Sequence, residues 1–175
     1  QYGQAQKIYE DVASSEIDLG IVAYPRPQRN VDVVSFTEDQ VVLICHPSNP
    51  LAKQQSVSPK ELEGIPFILF TPETPTRRAI DRFFRKHSIK PNVVMELDHI
   101  ATLKNAVEVD IGVSIVPEPA VEQEKMRKTL TALPFVGEPF TRPLGILYRR
   151  GRSLSVATQK LLEILTNEMQ PRDLA

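Results

Sequence analysis

Apolar residues recur along this chain at two different periods, and proline or glycine marks most switches between them. Ala5, Ile8 and Val12 share one side of a helix over residues 4–14. IDLGIVA (17–23) is a short apolar run closed by Pro25 and Pro27, and it predicts a strand. VDVVSF (31–36) and QVVLIC (40–45) are rich in β-branched residues and predict two central strands of a covered sheet. HPSNPLAKQQ (46–55) reads as a proline-broken loop. Ser58, Pro59 and Glu61 predict a short capped helix that stops at Gly64.

The remainder alternates in the same way. IPFILF (65–70) predicts a buried strand, and TPETPT (71–76) leads into a helix. Ala79, Ile80, Phe83 and Phe84 form that helix's inner face, with Arg77, Arg78, Asp81, Arg82, Arg85 and Lys86 on the other faces. NVVMEL (92–97) is a strand, and Asp98 is placed to cap a helix over 99–109 that turns Leu103, Ala106 and Val107 inward. VSIV (113–116) is followed by a Pro117–Pro119 turn and a helix to about Lys128. TLTALPF (129–135) and PLGILYRR (143–150) predict the last strands. A final helix, Ser155 to Met169, is expected to bury Leu161, Leu162 and Leu165. Alternation of strand and helix predicts an α/β fold: an open, mainly parallel sheet covered on both faces, with a ligand crevice beyond the C-terminal strand ends. Residues 40–45 and 143–148, each bounded by polar, proline-bearing segments, are candidate crossings between two lobes.

Composition narrows the possible functions. The 175 residues suffice for one domain or two small lobes. Lys and Arg number 21 against 22 Asp and Glu, a formal charge of −1. That balance argues against duplex binding by this piece, although a local basic patch stays open. One cysteine and three histidines exclude a disulfide framework and disfavour structural zinc. No apolar stretch reaches membrane-spanning length, and the polar opening QYGQAQKIYEDV is not a signal peptide. The missing initiator Met suggests a fragment of a longer protein.

Catalytic signatures are not found: no G-x-G-x-x-G, Walker motif, H-E-x-x-H, C-x-x-C or G-x-S-x-G occurs. Cys45 sits in an apolar run and reads as a buried thiol. His46, before Pro47, reads as a loop anchor or solvated residue more readily than as a base. His87 ends its helix, where an imidazole can bond the last carbonyls. His99 follows Asp98, but adjacent helical residues do not face each other.

The best candidate site is TPETPTRR (71–78). Thr74 or Thr76 can cap the helix, whose first N–H groups and dipole favour negative charge. Arg77 or Arg78 can then reach a carboxylate or phosphate; the plainer reading makes the threonines caps and both arginines a solvated face. Thr102, in the first turn of the next helix, and the turn from Pro117 to Ala120 are further candidates. All three places lie beyond strand C-termini.

SSEIDLGIV (14–22), HPSNPLA (46–52), LEGIPFILF (62–70), RRAIDRFFRKHSIKPNVVMELD (77–98), HIATLKNAVEVDIGVSIVPEPAV (99–121) and RPLGILYRR (142–150), in this order, resemble the effector-binding domain of LysR-type transcriptional regulators. HPSNPLA carries a three-residue insertion, Ser48 to Pro50, relative to the family's HPLA, and Ser15 and Asp110 stand where glycine is frequent. PTRRAIDRFF (75–84), AVEVDIGVSIVP (106–117) and RPLGILYRRGR (142–152) look most like regulators of carbon fixation and inorganic-carbon uptake genes. The resemblance implies two Rossmann-like lobes of periplasmic-binding-protein type (type 2): residues 1–45 with 142–175, and residues 46–141. It further implies that the first strand of lobe one and an N-terminal winged helix-turn-helix, the only DNA-contacting part, would precede Gln1.

On this resemblance the chain senses a small anionic metabolite, such as a phosphorylated sugar acid, phosphoglycolate, 2-oxoglutarate or a nicotinamide nucleotide. The expected contacts are Thr71, Thr74, Thr76, Arg77, Arg78, Ile100, Thr102 and Pro117, with Ala23 from lobe one. A cytoplasmic homodimer or homotetramer is implied, packed through helices 4–14 and 74–87, with no catalysis, cofactor, metal or membrane contact. Two other readings share the scaffold: a periplasmic-type solute-binding protein, and an enzyme. Lack of an export signal weighs against the first, and lack of an assembled acid, base or covalent anchor against the second.

Overall fold

The structure, a computed structural model, describes residues 5–137 and 139–168, the last two by backbone alone. It divides into two compact units, one formed by Gln1–Glu38 with Pro143–Ala175 and the other by Asp39–Arg142.

In the first unit, helix α1 (Ala5–Ser14) buries Tyr9 and Val12. Strand β1 (Leu19–Ala23) pairs antiparallel with β7 (Thr141–Arg149), from Leu19 opposite Tyr148 to Ala23 opposite Leu144. Strand β2 (Val31–Cys45) lies beside β7. The Tyr9 hydroxyl donates to the Arg26 carbonyl at 2.9 Å and accepts the Arg26 N–H at 2.7 Å, holding the segment after β1 against α1. Helix α5 (Val156–Glu168) differs from its expected burial: Leu161 is exposed, and Leu162 and Leu165 are only half-buried. Its expected end at Met169 lies outside the described residues.

Residues 31–36 and 40–45, expected as two strands, form the single 15-residue strand β2. The intervening Thr37, Glu38 and Asp39 are polar but include neither glycine nor proline, so nothing there turns the chain. The division between the units falls inside this strand, at Glu38/Asp39.

The second unit carries the larger core. Strands β3 (Pro66–Phe70) and β4 (Asn92–Leu97) pair in parallel, and a parallel bridge from Phe67 to Val113 brings in β5 (Ser114–Pro117). The end of β2 runs antiparallel to both β5 and β6 (Thr131–Leu133). The order is thus β4–β3–β5–β2–β6, with β2 alone reversed. The mainly parallel expectation therefore describes the second unit but not the first, where β1 and β7 are antiparallel.

Helix α2 (Pro75–Lys86) packs Ala79, Ile80, Phe83 and Phe84 inward, as its periodicity requires. The Phe83 ring stacks on Phe140 with centroids 4.9 Å apart and tilts against Phe135 at 4.7 Å. Helix α3 (Ile100–Glu108) buries Leu103, Ala106 and Val107. Its N-cap position is held by His99 and not by Asp98. Because His99 is extended and not helical, its ring swings back to within 3.5 Å of the Asp98 carboxylate, contrary to the helical expectation. The His87 imidazole lies against the Phe83 ring at 4.7 Å, and it is the His87 backbone N–H that bonds the final carbonyls. Residues after Ser58 form one 3-10 turn, Pro59–Leu62, too short for an α-helix. Residues after Pro117 form a 3-10 turn, Glu118–Val121, and then helix α4 (Glu122–Arg127), which ends on left-handed Lys128.

Candidate functional site

Three loops leave the same end of the second unit's sheet, because β4, β3 and β5 run in one direction. The loop after β3 carries Thr71 and Thr74 and leads into the first turn of α2, with Thr76; the turn after β4 leads to Ile100 and Thr102; Pro117 ends β5. Topology thus brings all the candidates of this unit to one edge. Ala23 ends β1 in the first unit.

The loop after β3 is tightly specified. The Thr71 N–H donates to the Leu97 carbonyl at 3.1 Å, tying the loop to β4. Thr74, and not Thr76, caps α2: its Oγ1 accepts the Arg77 N–H at 3.1 Å and donates to the Thr71 carbonyl at 3.0 Å. Pro75 occupies the first helical position, where its missing N–H costs nothing. The Thr76 N–H, in the first turn, has no intrahelical acceptor and faces outward from the helix start.

The two arginines behave differently. Arg77 is 9% exposed. Its Nη1 donates to the Phe70 carbonyl at 2.6 Å and to Glu96 Oε1 at 2.7 Å, while Nε donates to Asp81 Oδ1 at 2.9 Å. Burial alone would make this guanidinium easier to deprotonate, but Glu96 and Asp81 outweigh burial and hold its pKa above the usual arginine value. Arg77 was expected on a polar helix face with its charge free for a ligand; instead two carboxylates offset that charge. Arg78 is exposed, with Nη1 on the Glu73 carbonyl at 3.0 Å.

Thr102 Oγ1 donates to the His99 carbonyl at 2.8 Å, so its hydroxyl serves the helix start and presents lone pairs outward. Behind it, Lys104 Nζ donates to the Ala120 carbonyl and to Glu124 Oε1, both at 2.8 Å, fastening the loop after β5 to α3. Burial pushes the Glu124 carboxyl up, but the hydrogen bond and charge of Lys104 outweigh it and leave the pKa lowered.

Sequence reasoning missed Glu96, Lys104 and Glu124 as partners. Asp81 stands four residues after Arg77, a spacing that is legible on a helix. Glu96 and Arg77 lie 19 residues apart and Lys104 and Glu124 lie 20 apart, on separate elements, so no local signal joins them. A separate depression of about 380 Å³, lined by Pro47, Lys125, Lys128, Leu130, Thr131 and Ala132, includes none of the candidate residues. His46 Nδ1 lies 2.6 Å from Ser48 Oγ, and Ser48 in turn points at Asp110 at 3.4 Å; this exposed cluster joins the two departures from the family pattern in the second unit. Among the described residues, no three His, Cys, Asp or Glu side chains assemble as a metal site.

Known proteins resemble this chain in sequence and in fold. The LysR substrate binding domain model matches residues 1–170. The chain is 29% identical over 165 residues to the HTH-type transcriptional activator CmpR of Synechocystis, covering 94% of this chain and 54% of that protein. It is 26% identical to a RuBisCO operon transcriptional regulator of Acidithiobacillus ferrooxidans, covering 93% and 53%. The chain therefore spans about half the length of the curated relatives it matches. Among solved structures, the regulatory domain of Synechocystis CcmR in complex with 2-PG superposes with a TM-score of 0.83 at 25% identity, covering 97% of this chain and 81% of that one. The effector-binding domain of QuiR in complex with shikimate superposes with a TM-score of 0.84 at 20% identity, covering 98% and 81%. The fold is the two-lobed α/β fold of periplasmic-binding-protein type 2 that these domains share. With the family model spanning nearly every residue and the three loops gathered at one sheet edge, this chain belongs to the LysR substrate-binding-domain family.

Proposed function

We propose that this chain is the metabolite-sensing and self-associating part of a cytoplasmic, DNA-binding transcription regulator, and that it has no catalytic role. Its lobes are taken as residues 1–45 with 142–175 and residues 46–141; DNA would be met by a winged helix-turn-helix elsewhere in the regulator. The effector is a small anion, a phosphorylated acid or 2-oxoacid. One observation carries this reading: the capped start of α2, with first-turn N–H groups and exposed Arg78, lies at the same sheet edge as Thr102 and Pro117. A CcmR domain, a relative at 25% identity, is described with 2-PG, which is itself an anion. The contacts proposed are Thr71, Thr74, Thr76, Arg78, Ile100, Thr102 and Pro117, with Ala23 tested separately from the first unit.

The test is calorimetric titration of phosphoglycolate, 2-oxoglutarate and ribulose bisphosphate into the full-length regulator and its Thr102→Ala variant. In the free protein the Thr102 hydroxyl hydrogen is held by the His99 carbonyl, so an anion has to draw it away. A hydrogen bond to a charged partner is worth about 1.5–3 kcal/mol, and with the His99 bond given up the variant should bind about tenfold more weakly. Equal affinity would leave the Thr102 hydroxyl to the His99 carbonyl alone. Binding of none of the three would reject the anionic class.

A further inference from the structure

We propose that Arg77 is a positioning residue for the effector loop: its guanidinium locks the end of β3 and strand β4 to the first turn of α2, and so sets the shape of residues 71–76. This rests on the reading of that loop as part of the effector site.

The lock closes the loop from both ends. Phe70, whose carbonyl accepts from Nη1 at 2.6 Å, immediately precedes Thr71. The Arg77 backbone N–H meets the Thr74 cap at 3.1 Å, so one residue holds the loop's entry by side chain and its exit by main chain. Between these points, Thr71 is bonded to Leu97 on β4, and Thr74 is bonded back to Thr71. Glu96, one residue before Leu97, takes Nη1 at 2.7 Å. The guanidinium thus spans a β3 carbonyl, a β4 carboxylate and Asp81 on α2 in a single planar fork, which one lysine ammonium cannot reproduce. With Asp81 and Glu96 in place, little net positive charge remains there for a third anion. The ligand's charge is left to the α2 amides and Arg78.

Two roles for Arg77 therefore predict opposite results. Compare Arg77→Lys, Glu96→Ala and Glu96→Gln with wild type in the full-length chain. First, without ligand, measure amide hydrogen exchange at Thr71 and Thr74 against Leu103 and Val107 of α3. A lock requires exchange in the loop to rise by about tenfold in Arg77→Lys and Glu96→Ala, with α3 unchanged and Glu96→Gln near wild type. Unchanged loop exchange in both variants overturns the proposal. Second, titrate phosphoglycolate. A lock predicts weaker binding in both Arg77→Lys and Glu96→Ala, because the loop loosens. A direct ligand contact predicts tighter binding in Glu96→Ala, because the charge on Arg77 is released, and that result also overturns the proposal. If wild type binds no phosphoglycolate, that effector chemistry fails, and loop exchange still decides the role of Arg77.

Discussion

Cys45 shows how one residue's setting decides its chemistry. It ends β2 with no exposed surface, and burial, with the charge of Asp110 second, pushes its thiol up to about 11. Thiolate is the reactive form, so at pH 8 native Cys45 should alkylate about a hundredfold or more slowly than in the denatured chain. Stopped-time labelling with iodoacetamide, with and without guanidinium chloride, measures the ratio; near-equal rates would mean that β2 opens readily. The apolar run VVLIC made this burial legible in the sequence. The fate of Arg77 was not legible: helical spacing offered Asp81, but the acceptors that draw the side chain inward, Glu96 and the Phe70 carbonyl, come from neighbouring strands.

At the scale of elements, Gly112 controls how closely β5 approaches β3. A Cβ built there would lie 2.6 Å from the Pro66 carbonyl oxygen, a backbone atom that also accepts the Val113 N–H at 2.9 Å. Gly112→Ala must therefore push the two strands apart or break that bond. We expect a loss of about 1–3 kcal/mol, the usual cost of overpacking, measured by urea unfolding. Since β5 sits between β3 and β2, the loop at Pro117 should shift with it and weaken effector binding in the same variant. Glycine before VSIV was visible as punctuation in the sequence, but the carbonyl it accommodates lies 46 positions earlier, on another strand. The same limit explains β2. Periodicity found both of its apolar halves, whereas their continuity followed from pairing along the sheet.

For the molecule as a whole, two measurable properties follow. Glu124 has a lowered pKa in the folded state, so its pair with Lys104 stabilises the second unit fully above the ordinary carboxylate value of 4.5. That contribution is lost as pH falls through the lowered folded value. Thermal unfolding should show wild type more stable than Glu124→Gln at pH 7, with the gap closing toward pH 3. A constant gap would mean that packing, and not charge, supplies the difference. Self-association is the second property. Ile21 on β1 and Val93 and Val94 on β4 are apolar and exposed, at 45%, 37% and 47%, on the strands that follow α1 and α2, the two helices expected to pack across the interface. Sedimentation of the full-length regulator at tens of micromolar should show a dimer or tetramer, and Val94→Lys should shift it toward monomer. A wild-type monomer would refute the proposed interface.

The sequence by itself determined most of the strand and helix segments, the inward faces of α2 and α3, and the family. Each of these depends on spacing within about 15 residues, or on the order of motifs along the chain. Ala79, Ile80, Phe83 and Phe84 could be assigned to a core before any partner was known, because a helix repeats its faces every 3.6 residues. Tertiary structure alone decided that β2 is one strand and that β1 and β7 run antiparallel. It also decided that Arg77 is spent on carboxylates while Arg78 stays exposed. The physical reason is the same in every case: strand pairing and ion pairs between elements join residues distant in sequence, and their energies depend on geometry that no local pattern encodes.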